Sequence, residues 1–313
     1  MIRKDILQFI VIAFGLAWII AWLLYVTGTT YGGLSSQILV AVYYMWAPAT
    51  AAILVHSFGK KEALKSIGWN YESRTNEWLY LTPMIVTGTY LLYLLILFLG
   101  GNVFCIEGFG HLDFSNTALS IKMWELSGAD PSTPAVSLPF PAWGMFIVTF
   151  FTGLMAGSTI NLVFTFGEEL GWRGFLLKNI QHLGFWKTTF ISGIIWGLWH
   201  APLVAMGHNF PGTPISGIFI MTAGCLALTP LFNYAMHKSG SILIPSVLHA
   251  IINGTVNATQ LYLYDNDPRY THFLGLAGII SILIVTVVIF LLDRNYISTF
   301  SSYNQEKLSQ PTE

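Results

Sequence analysis

Apolar runs at about 6–27, 37–56, 78–99, 145–166, 188–206, 215–236, 242–264 and 273–292 follow one another with mostly short polar connections. A helix needs roughly 20 such residues to cross the hydrocarbon core of a bilayer. Only 9% of residues are charged and the mean hydropathy is +0.62, against about 25% charged in an ordinary soluble domain. Such a chain cannot cover a water-facing surface. The predicted fold is all-α: a polytopic integral membrane bundle of about eight transmembrane helices. It forms one domain over 1–297, with a polar mobile tail over 298–313. The first run follows Arg3 and Lys4, is too long for a signal-peptide core and lacks a small-residue cleavage site, so it is read as retained.

Basic residues orient the bundle. With the N-terminus in the cytosol, that side holds Arg3, Lys4, Lys60, Lys61, Lys65, Arg74, Lys178, Lys187, Lys238, Arg294 and Lys307, and the other side holds Lys122 and Arg269. Both termini are then cytosolic. The long connection over 100–143 falls outside and reads as a lid, a partner surface or a disordered excursion. Residues 58–77 mix Lys and Glu as an amphipathic surface helix would. A net charge of −1 argues against a nucleic-acid partner. Cys105 and Cys225 have no metal-binding spacing and are read as structural bystanders. His56, His182, His208 and His237 fall near span ends and are read as interfacial or solvated.

Residues 166–174 read Phe-Gly-Glu-Glu-Leu-Gly-Trp-Arg-Gly at the end of the fourth run. A charge in a bilayer costs roughly 2.5–3.5 kcal/mol on insertion scales, so three together need partners and a purpose. Glu169 and Arg173 are i and i+4 and can pair on one helix face. Glu168 is rotated by about 100° and points elsewhere, which leaves it free to handle protons. The fifth run brings His200 to similar depth, and the seventh brings His249, Asn253 and Asn257 as a polar stripe. A desolvated glutamate can act as general base toward water, then return the proton to a leaving amine. Histidine and amide groups can donate to the oxyanion of an attacked carbonyl. The same side chains, Glu168, His200 and His249, could alternatively hold zinc, although no HExxH occurs. The inventory implies hydrolysis of an amide or ester within the membrane and leaves metal open.

Three motifs in this order, Glu168-Glu169-Leu-Gly-Trp-Arg173, Trp196-Gly-Leu-Trp-His200 and His249-Ala-Ile-Ile-Asn253, resemble those of the CAAX-prenyl-protease and bacteriocin-processing family of intramembrane endopeptidases. The likeness covers about 145–257, the expected catalytic core, and includes Gly174, Ala201-Pro202 and Ser239-Gly-Ser-Ile242 as context. It implies that Glu168 activates water, His200 positions it, His249 and Asn253 stabilise the oxyanion, and Glu169 with Arg173 orders the site. Trp196 stands where many members carry Phe, and is read as an aromatic wall. A metal-free glutamate mechanism is preferred over a zinc-dependent one. The implied substrate is a lipidated CAAX-type protein, or another membrane-associated peptide as in the bacterial branch, which the Trp-Gly-Leu-Trp-His-Ala-Pro wording resembles more. The implied location is a multi-pass membrane protein, in the plasma membrane if prokaryotic, with its site open to the cytosol. A proton- or cation-coupled transporter and a non-catalytic immunity or scaffold protein are the competing readings.

Overall fold

The computed structural model describes residues 4–29, 31–59, 73–128 and 137–302. It is an antiparallel bundle of helices α1 (Lys4–Val26), α2 (Leu34–His56), α3 (Asn76–Val103), α4 (Asn116–Ser127), α5 (Ala142–Leu183), α6 (Phe185–Trp199), α7 (Ala201–Ala205), α8 (Pro214–Ser239), α9 (Leu243–Thr255) and α10 (Leu276–Leu292). Among the described residues six segments are long and apolar enough to cross a membrane: α1, α2, α3, α5, α8 and Pro268–Leu292. The all-α membrane bundle stands. The seventh run and the fifth do not form full-length helices. The amphipathic helix expected over 58–77 lies largely outside the described residues.

The fifth run breaks at His200 rather than continuing to 206. Pro202 has no N–H to donate to the turn before it and starts a new helix instead. The Trp199 carbonyl, freed by the break, accepts from the Tyr44 hydroxyl at 2.5 Å and from Trp18 Nε1 at 3.2 Å. A buried carbonyl left unpaired in lipid would be costly, so these two side chains from α1 and α2 stabilise the break. The result is that α6 ends inside the bundle, with His200 at its tip.

The seventh run likewise stops early, with α9 ending at Thr255. Its last part leaves the helix to make specific bonds: the Thr259 and Tyr90 hydroxyls pair, and Tyr262 donates to the Ala142 carbonyl at 3.1 Å. The chain then enters strand β2 (Leu263–Tyr264), antiparallel to β1 (His111–Leu112). This clasp ties the long connection over 100–143 to the bundle. Lys122 on α4 strengthens it by donating to the Leu263 carbonyl at 2.8 Å. At the other end, Phe300, the third residue of the segment expected as a mobile tail from 298, is fully buried against Phe185 and His237.

Helix α5 is the element that matters most for the site. It runs without interruption past the two glutamates, so they lie within the bundle and not at its rim. Its backbone loosens into wider π-type turns at Gly157–Asn161 and Leu170–Leu176, a distortion that often accompanies functional residues. Close packing holds it against α9. A Cβ on Gly153 would lie 2.4 Å from the Gly254 carbonyl oxygen. Small residues at such crossings let helix backbones approach in a membrane, where dispersion and hydrogen bonds replace the hydrophobic drive. The same device joins α6 to α8, where a Cβ on Gly197 would lie 2.4 Å from Thr222 Cα.

Candidate active site

A cavity of about 390 Å³ opens between α2, α5, the α6–α7 break, α8 and α9. Glu168, His200, His249 and Asn253, predicted from separate stretches of sequence, all line it. Glu169 and Arg173 stand behind its wall, fully buried. The cavity wall and the hidden pair therefore do different things.

The hidden pair is closed on itself. Arg173 Nη1 lies 3.0 Å from both carboxylate oxygens of Glu169, and His249 Nδ1 lies 2.9 Å from Glu169 Oε1. A carboxylate only accepts, so the His249 Nδ1–H is the donor and Nε2 is the atom left for the cavity. The Arg173 guanidinium also rests over the Trp196 ring at 4.2 Å and the Phe232 ring at 4.5 Å. Attraction to the ring faces adds to the ion pair where no water is available. Although the backbone there is π-type, the i, i+4 pairing expected of an α-helix is kept.

Glu168 is held differently. Its Oε2 accepts from Trp196 Nε1 at 3.1 Å, while Oε1 has no hydrogen-bond partner among the described residues and belongs to a side chain that lines the cavity. Trp196 thus does more than form an aromatic wall: its N–H fixes the carboxylate, and its main-chain carbonyl accepts from His200 Nδ1 at 2.9 Å. That bond fixes the His200 tautomer, with Nδ1 protonated and Nε2 as an acceptor. One residue therefore orients both the glutamate and the histidine. Phenylalanine at this position could not bond the carboxylate.

Other residues reach the cavity that the sequence did not single out. His208 lies with its ring parallel to that of His200, centroids 6.3 Å apart, and its Nδ1 is 2.5 Å from the Tyr31 hydroxyl. Burial pushes the His208 imidazole down to about 4, so it is neutral at ordinary pH. Cys225, read as a bystander, lines the same wall with its sulfur 4.0 Å from His200 Nδ1. Nothing local marks these residues. His208 sits in a connection, and only the folding back of 206–213 brings it over His200. Asn257, two residues past the end of α9, lines the cavity as well, although the helical stripe that would have put it there stops at Thr255.

The zinc alternative can be compared with these positions. Among the described residues no group of three or more His, Cys, Asp or Glu is arranged to hold a metal ion. Glu168 Oε2 is engaged by Trp196, and His249 Nδ1 by Glu169.

Comparison with known proteins agrees with the motifs. The model of the family described as type II CAAX prenyl endopeptidase Rce1-like matches residues 139–255. CAAX prenyl protease 2 of Methanococcus maripaludis is 31% identical over 119 residues, covering 31% of this chain and 42% of that protein. The chain thus spans less than half the length of that curated relative. Glu168, Glu169, Arg173, His200, His249 and Asn253 all fall within the matched segment. Residues 139–255, which carry all three motifs, are thus similar to the Rce1-like type II CAAX prenyl endopeptidases.

Proposed function

We propose that this protein is an intramembrane endopeptidase that hydrolyses a peptide bond near the C-terminus of a prenylated CAAX-type substrate, using a water activated by Glu168. One observation carries the reading. Of the two adjacent glutamates, Glu169 is consumed by Arg173 and His249, while Glu168 is pinned through one oxygen and offers the other to a cavity shared with His200, His249 and Asn253. That is the division a general base requires, one carboxylate for structure and one for protons.

In this reading a water sits between Glu168 Oε1 and His200 Nε2. Glu168 takes one proton as the water oxygen attacks the scissile carbonyl carbon. The carbonyl π electrons move to oxygen, and Asn253 Nδ2–H stabilises the oxyanion, with the His249 ring beside it in the cavity. Collapse of the tetrahedral adduct breaks the C–N bond. Glu168 then returns its proton to the departing amine, leaving a carboxylic acid on one product and an amine on the other. The membrane half from which the substrate enters is taken to be cytosolic, from the basic-residue asymmetry.

Purified protein presented with farnesylated and geranylgeranylated CAAX peptides should release the C-terminal tripeptide, detected by mass spectrometry, and should not process the unlipidated control. Cleavage should survive a strong chelator. Loss on chelation with recovery on added zinc would replace the glutamate-only mechanism. Failure of well-folded protein to cut any prenylated peptide would remove the substrate assignment.

Trp196→Phe separates the indole's two contributions. The ring over Arg173 is kept and the donor to Glu168 is lost. Hydrogen bonds to charged groups are worth about 1.5–3 kcal/mol, so kcat should fall roughly 10- to 100-fold with KM little changed. Steady-state kinetics with the prenylated peptide would show this, and an unchanged kcat would mean that Glu168 is oriented by other means.

A further inference from the structure

A second cavity, of about 690 Å³, lies between α6, α8 and α10 and is almost wholly apolar. It backs onto the active-site wall without belonging to it. Helix α8 turns Cys225 and Leu228 toward the active-site cavity and Leu226, Ala227 and Pro230 toward this one. Exposed aromatic and aliphatic side chains such as Trp186, Phe190 and Leu283 form its walls. In a chain that spans a membrane, such a surface faces acyl chains.

Two features distinguish it from an ordinary lipid-facing surface. Threonines buried elsewhere in the bundle satisfy their hydroxyls: Thr82, Thr89, Thr165, Thr229 and Thr255 each donate to the carbonyl four residues back. Thr189 and Thr286, which both line this groove, are buried with hydroxyls that have no partner among the described residues. A buried hydroxyl without an acceptor costs about 1–3 kcal/mol, so the groove calls for one. The second feature is charge. Arg294 lines one end and forms no ion pair with a described residue, whereas its neighbour Asp293 is already taken by Lys238 at 2.5 Å. Lys187 follows the groove residue Trp186 at the same end.

We propose that this groove is a binding site for one anionic phospholipid. An acyl chain fills the apolar trough, an ester carbonyl accepts from Thr189 or Thr286 after a χ1 rotation, and the phosphate pairs with Arg294 and Lys187. The heights agree. Thr189 is two residues past Lys187 and Thr286 is eight before Arg294, so both hydroxyls lie within about 12 Å of the cationic end, on a helical rise of 1.5 Å per residue. That is where the glycerol esters of a lipid lie relative to its phosphate. An isoprenoid thioether offers no comparable acceptor. A prenyl chain in this groove would also lie on the far side of α8 from Glu168. Basic pockets between transmembrane helices are known sites for acidic headgroups. The site stands whether or not the proposed peptidase reaction is correct.

Native mass spectrometry of the full chain, released from detergent with added dioleoyl phosphatidylglycerol or dioleoyl phosphatidylcholine, tests this directly. Wild type should retain a single phosphatidylglycerol in preference to phosphatidylcholine. Arg294→Gln, an exposed change, should lower that preference by about fivefold, the factor expected for one basic residue at an anionic headgroup. Ala227→Trp should fill the trough and abolish retention of both lipids. Equal retention of the two lipids by wild type would overturn the proposal, as would undiminished preference in Arg294→Gln. A farnesylated peptide that competes with phosphatidylglycerol in wild type, and fails to bind Ala227→Trp, would assign the groove to the substrate's isoprenoid instead.

Discussion

Replacing Glu168 by Gln should lower the rate of prenylated-peptide cleavage by about 10²–10⁴-fold, the usual share of a positioned general base, and leave the fold intact. The reason for the second half is geometric. Glutamine has the shape of glutamate, and its carbonyl oxygen can still accept from Trp196 Nε1, the one side-chain hydrogen bond that Glu168 makes among the described residues. What is lost is the ability to take a proton from water at Oε1. Glu169→Gln should behave in the opposite order. That side chain does not line the cavity, but it holds Arg173 and His249 together. Its neutral amide leaves the buried guanidinium without a counter-charge, so thermal stability should drop together with activity. Melting and kinetics measured on both variants separate the two glutamates. A Glu168→Gln protein that melts like wild type and still cleaves at a wild-type rate would end the assignment of Glu168 as base. Equal loss of stability in both variants would mean that the two carboxylates share one structural role.

The contrast between the two glutamates could be read from the sequence because it is local. Glu169 and Arg173 sit one helical turn apart, and adjacent residues on a helix point in different directions. His249 and Asn253 were readable for the same reason, as one face of an apolar helix. The Trp196 bond to Glu168 was not, since it joins residues 28 apart whose helices must first pack. His208 was hidden further. Its partner Tyr31 is 177 residues away, and a histidine near a span end resembles an interfacial anchor. Hydropathy also misjudged two helices. It registers that 188–206 and 242–264 are apolar, but not that Pro202 breaks the first run at His200. Nor does it register that Thr259 and Tyr262 leave the second to bond Tyr90 and Ala142. Both departures serve the cavity. A straight α6 through 206 would carry the chain after His200 away along the helix axis, and His208 would not fold back beside it.

Arg173→Met should be among the most destabilising single substitutions available in this chain, at about 3–5 kcal/mol, the range found when one partner of a buried ion pair is removed. The pair is buried on both sides, with Arg173 at 2% and Glu169 at 0% relative exposure. The carboxylate left behind would keep only the His249 contact. Lysine should not rescue it. A lysine ammonium is a compact, strongly hydrated charge, whereas the planar guanidinium reaches Glu169 while lying flat over Trp196 and Phe232. Removing both charges together, as Glu169→Gln with Arg173→Met, should cost clearly less than the sum of the single changes, because no uncompensated charge remains. The double variant should nonetheless stay catalytically impaired. His249 would then donate to a neutral amide, and its Nε2 would lose the carboxylate that sets its orientation. Stability recovered without activity is the pattern that identifies Glu169 and Arg173 as positioning residues. Unfolding in detergent and cleavage rates across the four-member cycle provide the measurement. If Arg173→Met melts like wild type, the ion pair carries no stability, and the reason for keeping two buried charges behind the cavity would have to lie elsewhere.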